Sequence, residues 1–568
     1  PSSTYSSSSA ASEFYKRQQL KEAFTAGLRS IAIAFLHGYR HQQHEAQAAD
    51  IARSIGFTQI SVSHKVSPLM KLIPRGDTTV ADAYLSPLLS RYVGQIRDAV
   101  GNTPLYFMQS NGGLTSADMF EGKDAILSGP AGGIVGAAKS GERAGVQKLV
   151  GFDMGGTSTD VSHYAGQYER VFDSVVAGVR LAVPMMDIHT VAAGGGSICS
   201  FSQGRFLVGP ASAGATPGPA SYGRGGPITV TDCNVLLGKL QADLFPAIFG
   251  LTGDKPLDKA AATQGFQHLA DQIETETGTR PALEAIAEGF LSVAVEHMAR
   301  AIKRVSIERG HDVKNHALLS FGGAGGQHAC LVADALGIDT VIIPPFSGVL
   351  SALGMGLAVQ SAIANKALET ATSDAVALKS AVQSVTLEAS RKLEKQGIAK
   401  QGHHLQITLQ MKYLGSDTSL SVPLGSSDVI TATFENAHQQ QFGFTDTDAD
   451  IIIHSVEAEA SGGGSAHALE MEAGGTTTKP SHTREVNWHG TSNMAAVYQR
   501  ETLKPGHAIH GPAIILENGG TTIVEDSWQA VLHPNDTLHL TRTRSSIKQH
   551  QITSKPDPIL LEIFNNLF

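Results

Sequence analysis

Two aspartates that bracket a glycine-rich turn give this 568-residue sequence its clearest chemical signal. Residues 153–160 read Asp-Met-Gly-Gly-Thr-Ser-Thr-Asp and follow an apolar run. Bare glycine backbone lets N–H groups reach anionic oxygens, hydroxyls add donors, and two carboxylates can hold Mg²⁺, usually through water. The pattern predicts a phosphate-binding hairpin with Asp153 and Asp160 beside the metal; the alternative is an ordinary β-hairpin with a Gly-Gly turn. The residues expected to contact phosphate are Gly155, Gly156, Thr157, Ser158 and Thr159.

A second glycine-rich turn lies at residues 321–328, which read Phe-Gly-Gly-Ala-Gly-Gly-Gln-His. An apolar strand precedes it, and a helix is expected to begin near Gln327. This order suits a nucleotide's adenosine and ribose lying on bare backbone, or phosphates at the start of a helix. The alternative is close packing of the strand against the helix. The glycines of this candidate nucleotide loop are Gly322, Gly323, Gly325 and Gly326.

Three other stretches are rich in glycine. Residues 128–133 are expected to open a helix whose start either receives an anion or packs closely against a neighbour. Residues 191–197 read Val-Ala-Ala-Gly-Gly-Gly-Ser. Residues 209–226 contain too much glycine and proline for regular structure and predict a long loop, functional or disordered. Asp232 follows on a predicted strand, either as a buried acid or as a cap.

Composition restricts the classes of function. Hydrophobic residues make up 42% of the chain, and the net charge is −9, so the protein lacks the basic surplus of nucleic-acid or membrane-surface proteins. Three widely separated cysteines argue against a disulfide framework and a cysteine-cluster zinc site. Sequences of the types H-E-x-x-H, C-x-x-C and G-x-S-x-G do not occur, and histidines such as His163 and His311 are expected to be structural. The apolar runs are too short to span a bilayer, and we expect a cytoplasmic protein.

Strands and helices alternate along the chain, and these elements must position the candidate residues. The alternation predicts an α/β protein with mixed βαβ sheets. Helices are expected at residues 43–55, 80–100, 283–309 and 375–395. The region from residue 513 to residue 540 is expected to be rich in strands. Hairpin turns are expected at Gly511-Pro512 and Gly519-Gly520.

Several motifs, in a fixed order, resemble those of the hydantoinase A/5-oxoprolinase family. Besides residues 153–160, they lie at residues 110–114, 127–133, 187–197, 209–227, 229–232, 309–311 and 321–330. The resemblance covers roughly residues 30–545. It implies an actin-like (ribonuclease H-like) ATPase fold, in which two βαβ lobes clasp ATP and a smaller β-rich C-terminal domain follows.

The same resemblance implies four segments. They are 1–145, the remainder of the first lobe; 146–365, the second lobe with the phosphate and adenosine loops; 366–545, a helix plus the β-rich domain; and 546–568, the start of a hydantoinase B-type half. The family usually carries another Asp-x-Gly-Gly-Thr hairpin near its N-terminus, which this sequence lacks. Thr216 and Ser221 also stand where oxoprolinases more usually have His and Cys. We therefore expect an interior piece of a longer fused enzyme.

5-Oxoprolinases of this family use ATP to open the cyclic amide 5-oxo-L-proline to L-glutamate. By resemblance, Asp153 and Asp160 are catalytic and hold Mg²⁺, residues 155–159 cradle phosphate, and residues 322–326 bind adenosine. The implied cofactors are ATP, Mg²⁺ and a monovalent cation such as K⁺. The implied partners are a small lactam substrate and a hydantoinase B-type half, fused or separate, and a homo-oligomer is expected without nucleic acid or membrane. The alternatives are an ATP-dependent hydantoinase, a ketone carboxylase subunit, or a non-catalytic actin-like fragment.

Overall fold

The computed structural model describes residues 17–464 and 472–544. These residues form two compact units, each assembled from segments that are far apart in the chain. Within the described range, the first unit comprises residues 17–132, 170–186 and 357–464, and the second comprises residues 133–169, 187–356 and 472–544. The domain limits at residues 145, 365 and 545 stay predictions. The segment 546–568, assigned to a hydantoinase B-type half, lies outside the described residues.

A mixed sheet in the second unit carries both aspartates. The strands Lys148–Met154 and Thr159–Ala165 form an antiparallel hairpin, and Lys148–Met154 also pairs in parallel with Ala317–Phe321. Because Lys148–Met154 and Ala317–Phe321 run in the same direction, the glycine-rich turns that follow them meet at one edge of the sheet. Within the described residues the sheet has eight strands, in the order His189–Val191, Thr159–Ala165, Lys148–Met154, Ala317–Phe321, Thr340–Ile343, Leu538–Arg542, Trp528–Leu532 and Ala508–His510.

The helix Leu283–Val305 contributes much of the core of the second unit. Its buried side chains recur at helical spacing, and Phe290 meets Phe206 edge-on with ring centroids 4.9 Å apart. The helix ends before the predicted limit at residue 309, because Ser306 leaves the helical conformation and a 3-10 turn, Ile307–Arg309, follows. Other helices among the described residues of this unit are Val230–Leu236, Lys259–Thr277, Gly325–Leu336 and Leu350–Leu357, together with residues 133–143 of the helix Ser128–Arg143.

Smaller sheets complete the second unit. One consists of His482–Trp488, Thr491–Gln499, Ala513–Glu517 and Gly520–Val524, and another of Ser197–Ser202 and Arg205–Ser212. The predicted turn at Gly519-Gly520 is confirmed, because Ala513–Glu517 and Gly520–Val524 form a hairpin. The predicted hairpin turn at Gly511-Pro512 is wrong. The strand Ala508–His510 before it pairs with Trp528–Leu532, so the chain changes sheet at this point.

In the first unit, a six-stranded sheet among the described residues packs against the helices Ala375–Glu394 and Ser427–Phe442. Its strands, in order, are Leu420–Pro423, His404–Tyr413, Ile451–Gly462, Gln360–Ala371, Leu114–Ser116 and Tyr106–Met108. The unit also contains a parallel pair, Ser30–Ile33 with Gln59–Val62, two short pairs, Ser174–Val176 with Val179–Leu181 and Arg170–Val171 with Met185–Met186, and the helices Gln42–Ile55, Ser63–Val66 and Leu72–Val100.

The helix Leu72–Val100 begins earlier than the predicted start at residue 80. Pro74 does not interrupt it, because a proline in the first turn needs no N–H donor. In the part of the chain that the structure describes, no helix combines the length and apolarity needed to cross a membrane.

The region around Asp232 is helical, not the predicted strand. Thr229 caps the helix Val230–Leu236, and the Asp232 carboxylate accepts hydrogen bonds of 2.8–3.0 Å from the Thr229 N–H and hydroxyl and from the N–H groups of Ala220 and Ser221. Asp232 is thus both a buried acid and a cap, the two alternatives that the sequence left open. Residues 209–226 were predicted without regular structure, but they begin inside a strand and contain a 3-10 turn that Asp232 holds.

Candidate functional site

The two aspartates of the 153–160 motif face each other across the hairpin. Asp153 and Asp160 are directly opposite residues of its two antiparallel strands. Opposed side chains lie on one face of a sheet with Cβ atoms about 4.5–5.5 Å apart. Both carboxylates are half-buried, and from the neighbouring strand the Thr190 hydroxyl donates a 2.6 Å hydrogen bond to Asp160 Oδ1. The hairpin therefore concentrates two negative charges at one point.

No basic side chain of the described residues forms an ion pair with either carboxylate. Burial, followed by the negative charge of Asp160, raises the pKa of Asp153 to about 6. Burial also raises the pKa of Asp160, against the opposite effect of the hydrogen bond from Thr190. Two uncompensated acids are costly for the fold alone, whereas a divalent cation would neutralise them. Carboxylate oxygens are also the ligands that Mg²⁺ prefers, so the donor set fits this ion.

A second glycine-rich segment holds the turn between the hairpin strands. The Gly195 N–H donates a 3.1 Å hydrogen bond to the Gly155 carbonyl, and the Gly196 N–H donates a 2.6 Å hydrogen bond to the Gly156 carbonyl. A Cβ atom on Gly194 would lie 2.7 Å from the backbone nitrogen of the turn at residue 158. The two backbones can approach this closely only because residue 194 has no side chain.

The five residues predicted to contact phosphate differ in exposure. Gly156 and Thr157 are exposed at the tip of the turn, and Gly155 and Ser158 are half-buried. Thr159 is fully buried, and its hydroxyl donates to the Ala193 carbonyl. The Thr159 side chain therefore anchors the neighbouring segment, while the other four residues remain open to a ligand.

The candidate nucleotide loop lies directly beside Asp153. Phe321 and Asp153 are paired residues of adjacent parallel strands, and the Ala324 N–H donates a 3.0 Å hydrogen bond to the Met154 carbonyl. Gly322 has φ +80°, and a Cβ atom there would lie 2.4 Å from both Asp153 Oδ1 and the Met154 carbonyl oxygen. The aspartate itself thus requires glycine at position 322. The structure brings the two sequence motifs together.

The four glycines of this loop fall into two groups, which differ in their access to a ligand. Gly322 is half-buried and Gly323 exposed, so a ligand can approach their backbone. A Cβ atom on Gly325 would lie 2.7 Å from Ser320 Oγ, and one on Gly326 would lie 2.8 Å from the carbonyl oxygen of residue 521. Close packing, the alternative that the sequence left open, accounts for these two. The helix Gly325–Leu336 correspondingly begins at Gly325 and not near Gln327.

The sequence did not predict the residues that hold this loop in place through hydrogen bonds. The Gly322 N–H donates a 2.9 Å hydrogen bond to the Ser347 carbonyl. The Ser347 hydroxyl donates to Glu517 Oε1 at 3.2 Å, and Glu517 Oε2 forms a 2.8 Å ion pair with Arg500 Nη1. No local pattern links these distant positions. Thr190 was missed as well, although its hydroxyl lies within the 187–197 motif.

His163, Glu169 and His311 form a separate group of metal-type side chains in the second unit. Glu169 Oε1 lies 2.5 Å from His163 Nδ1 and 3.4 Å from His311 Nε2. Burial would raise the pKa of Glu169, but hydrogen bonds and charges from both histidines lower it to about 2. The two imidazole rings stack with their centroids 4.0 Å apart. The structural role expected for both histidines stays a prediction.

Replacing Asp153 by asparagine should stabilise the protein. An unfolded aspartate has a pKa near 3.9, so between about pH 4 and pH 6 the unfolded state binds fewer protons and wild-type stability falls as the pH rises. Asparagine does not ionise, so Asp153→Asn removes this pH-dependent loss of stability. We expect its free energy of unfolding at pH 7.5 to exceed that of the wild type by about 1–3 kcal/mol, with the difference shrinking towards pH 4.

Guanidinium unfolding at several pH values measures this difference. Asp98→Asn, a change at an exposed aspartate, is the control and should alter stability little at any pH. A variant at position 153 that is less stable than the wild type at pH 7.5, or equally stable at all pH values, would contradict the interpretation of the acid pair.

Comparison with known proteins agrees with this geometry. Sequence models described as "Hydantoinase/oxoprolinase" and "Hydantoinase/oxoprolinase C-terminal domain" match residues 75–364 and 465–543. The chain is 38% identical to 5-oxoprolinase from Saccharomyces cerevisiae and 35% identical to 5-oxoprolinase from Dictyostelium discoideum, in each case over 97% of its length. It spans only 45–46% of the length of these two relatives.

A solved structure supports the fold. The crystal structure of ATP-dependent caprolactamase from Pseudomonas jessenii superposes with a TM-score of 0.82 at 29% identity, over 94% of this chain and 79% of that chain. The predicted fold class, α/β with actin-like lobes followed by a β-rich C-terminal region, is thereby confirmed. The chain belongs to the hydantoinase/oxoprolinase family.

Proposed function

We propose that this chain is the ATP-binding, carbonyl-phosphorylating half of an ATP-dependent 5-oxoprolinase, which hydrolyses 5-oxo-L-proline to L-glutamate. The observation that carries the proposal is the uncompensated pair Asp153 and Asp160, placed where two glycine-rich loops meet. The similarity to two 5-oxoprolinases over nearly the whole chain supports the choice of substrate.

Each part of the site has a role in this proposal. Asp153 and Asp160 hold Mg²⁺, which when bound neutralises charge on the phosphates during transfer. The exposed turn, residues 155–158, donates hydrogen bonds to phosphate oxygens. Gly322 and Gly323 offer bare backbone to the nucleotide, and Gly325 and Gly326 shape the loop. Thr159 and Thr190 are positioning residues, because they contact the supporting segment and Asp160 respectively.

The chemistry explains the use of ATP. A lactam carbonyl is a poor electrophile, because the ring nitrogen shares its electrons with it. Transfer of the terminal phosphoryl group of ATP to the carbonyl oxygen releases ADP and makes the ring carbon electrophilic. Water then adds to that carbon, and the C–N bond breaks with the ring nitrogen leaving as the amine. A second water hydrolyses the resulting acyl phosphate, which releases phosphate and gives the open amino acid. Such transfer depends on positioning and charge neutralisation more than on covalent help from the protein.

The proposal also includes a partner half, a monovalent cation and a cellular compartment. Because the chain spans less than half the length of the 5-oxoprolinases it matches, a hydantoinase B-type half, fused or separate, completes the enzyme. K⁺ or another monovalent cation serves as an additional cofactor, and the enzyme works in the cytoplasm.

We expect the chain to bind ATP in the presence of Mg²⁺ and to lose this binding in Asp153→Ala. Removing one of two carboxylates should weaken nucleotide binding by at least about tenfold, since the metal loses half of its protein charge. Isothermal titration calorimetry measures the affinity, with Asp98→Ala as the exposed control. The absence of ATP binding by the wild-type chain, or an unchanged affinity in Asp153→Ala, would count against the site.

Gly194→Ala tests the role of the supporting segment. The added Cβ atom would push the turn at residues 157–158 away from its position. We therefore expect ATP affinity to fall by about tenfold with the circular dichroism spectrum unchanged. Gly356→Ala is the matched control, because a Cβ atom there meets no neighbour within 4 Å. Equal affinities for the two variants would show that the turn does not contact the nucleotide.

A second candidate is hydrolysis of a different lactam or a related ring, which the likeness to caprolactamase favours. ADP release by the complete enzyme, with its hydantoinase B-type half, separates the candidates. We expect 5-oxo-L-proline to stimulate ADP release and caprolactam, hydantoins and acetone to leave it unchanged. Stimulation by one of the latter compounds alone would move the assignment to a lactamase, a hydantoinase or a ketone carboxylase.

A further inference from the structure

Phe346 is an exposed aromatic residue next to buried neighbours in the chain. The two residues before it, Pro344 and Pro345, are buried, and so is Ser347 after it. Phe346 itself is 56% exposed. Because its neighbours on both sides are packed inside the second unit, the chain holds the ring in solvent at a defined place.

The backbone of Phe346 adopts the left-handed conformation, with φ +56° and ψ +31°. Bulky side chains rarely occur in this conformation, because the Cβ atom crowds a neighbouring carbonyl oxygen. Strained positions of this kind persist where surrounding contacts fix the chain, and they cluster at binding sites and active sites. Here the Val349 N–H donates a 2.8 Å hydrogen bond to the Phe346 carbonyl. Glycine would fit this backbone with less strain, so folding alone does not account for the phenylalanine.

The place of Phe346 in the sheet puts it beside the candidate nucleotide loop. The strand Thr340–Ile343 pairs in parallel with Ala317–Phe321, so the segments that follow both strands leave the same edge of the sheet. The two glycine-rich turns meet at this edge. The Gly322 N–H donates a 2.9 Å hydrogen bond to the carbonyl of Ser347, the residue after Phe346. The segment that carries the ring is therefore tied to the loop.

The backbone next to this segment carries no side chains. A Cβ atom on Gly348 would lie 2.7 Å from the Gly519 carbonyl oxygen, and one on Gly323 would lie 3.7 Å from the same oxygen. Gly323 and Gly519 are exposed, and Gly348 is half-buried. Three glycines from separate segments thus form a bare surface, two residues along the chain from the exposed ring of Phe346.

A planar aromatic ligand suits a ring in this position. Nucleobases stack on aromatic side chains through their π faces, whatever the base. Gly322 links the ring to the acid pair, because a Cβ atom there would lie 2.4 Å from Asp153 Oδ1 and its N–H is bonded to the Ser347 carbonyl. A nucleotide that extends from the acid pair along Gly322 and Gly323 therefore brings its base to Phe346.

We propose that Phe346 is the residue on which the base of the nucleotide stacks. This inference rests on the proposed ATP-binding function and adds to it the residue that recognises the base. The ring then contributes to the affinity for ATP and makes no contribution to the affinity for the phosphates alone. It also gives the strained, exposed phenylalanine a role that glycine in the same backbone could not fill.

Isothermal titration calorimetry of the 568-residue chain tests the proposal. Phe346→Ala should weaken the binding of MgATP by about 5- to 150-fold, the range expected for one base–aromatic stack. Phe346→Tyr keeps an aromatic face and should bind MgATP within about threefold of the wild type. Mg²⁺-tripolyphosphate has no base and should bind the wild type and Phe346→Ala equally. Phe444→Ala, at a phenylalanine of the first unit that is 54% exposed, is the matched control and should change neither affinity.

Phe346→Gly separates the loss of the ring from a change of the loop. Glycine adopts a positive φ without strain and alanine does not, so Phe346→Gly should unfold at a higher guanidinium concentration than Phe346→Ala. Both variants should nevertheless share the same weakened affinity for MgATP. Wild-type affinity in Phe346→Gly would show that the loop conformation matters and the ring does not, and would overturn the proposal.

Phe346→Trp supplies a spectroscopic signature of stacking. Trp488 and Trp528, the two tryptophans of the chain, are buried, so the added indole is the exposed one. MgATP should quench its emission, because a stacked base contacts the indole ring, and Mg²⁺-tripolyphosphate should leave the emission unchanged. Equal quenching by both ligands, or by neither, contradicts stacking.

The outcomes distinguish this inference from the proposed function. A wild-type chain that binds MgATP, with the affinity unchanged in Phe346→Ala, keeps the proposed function and overturns this inference. A wild-type chain that binds neither MgATP nor Mg²⁺-tripolyphosphate contradicts the proposed function and the inference with it. If Phe346→Ala keeps its affinity for MgATP but loses the binding of a hydantoinase B-type half, the ring belongs to a protein interface and the inference also fails.

Discussion

The site in the second unit depends on one constraint: two negatively charged side chains, Asp153 and Asp160, are held opposite each other. Bringing two carboxylates together and partly out of water disfavours their ionised forms, which is why the pKa of Asp153 rises to about 6. The strand Lys148–Met154 keeps them in place because it is paired on both sides, with Thr159–Ala165 and with Ala317–Phe321. A site of this kind lowers the stability of the empty protein and gains it back on binding a cation.

The backbone of two glycine-rich segments lies close to the acid pair and its turn. The segment at Gly194 packs against the turn, and Gly322 lies against Asp153 itself, with no room for a Cβ atom at either position. Peptide N–H groups can thus surround an anionic ligand at fixed positions, which costs little reorganisation when the ligand binds. The buried Thr159 hydroxyl and the Thr190 hydroxyl fix the segment and the acid that they contact.

Segments that are distant in the sequence hold the acid pair and the glycine-rich loops in place. The Gly322 loop is held through Ser347 by Glu517, whose ion pair with Arg500 is almost fully buried. An ion pair in that environment stabilises the structure only when its hydrogen bonds are satisfied, and Arg500 meets the condition by also donating to the carbonyls of Ile343 and Asp536. The C-terminal strands are therefore part of the same unit as the acid pair. In the first unit, the buried Arg75 anchors the helix Leu72–Val100 through hydrogen bonds to Ser63 and Leu69.

Local patterns in the sequence determined the hairpin, the strand before the Gly322 loop and the α/β class, because alternation of apolar residues and glycine turns acts over a few residues. Only the tertiary structure decided which residues of those motifs face outwards. Thr159 turns inwards and Gly326 packs against another strand, since partners far along the chain occupy the space beside them. Gly511-Pro512 resembled a hairpin turn, yet the strands on either side pair with different sheets. Pairing between distant strands has no local signature, so these outcomes had to come from the packing of the whole chain.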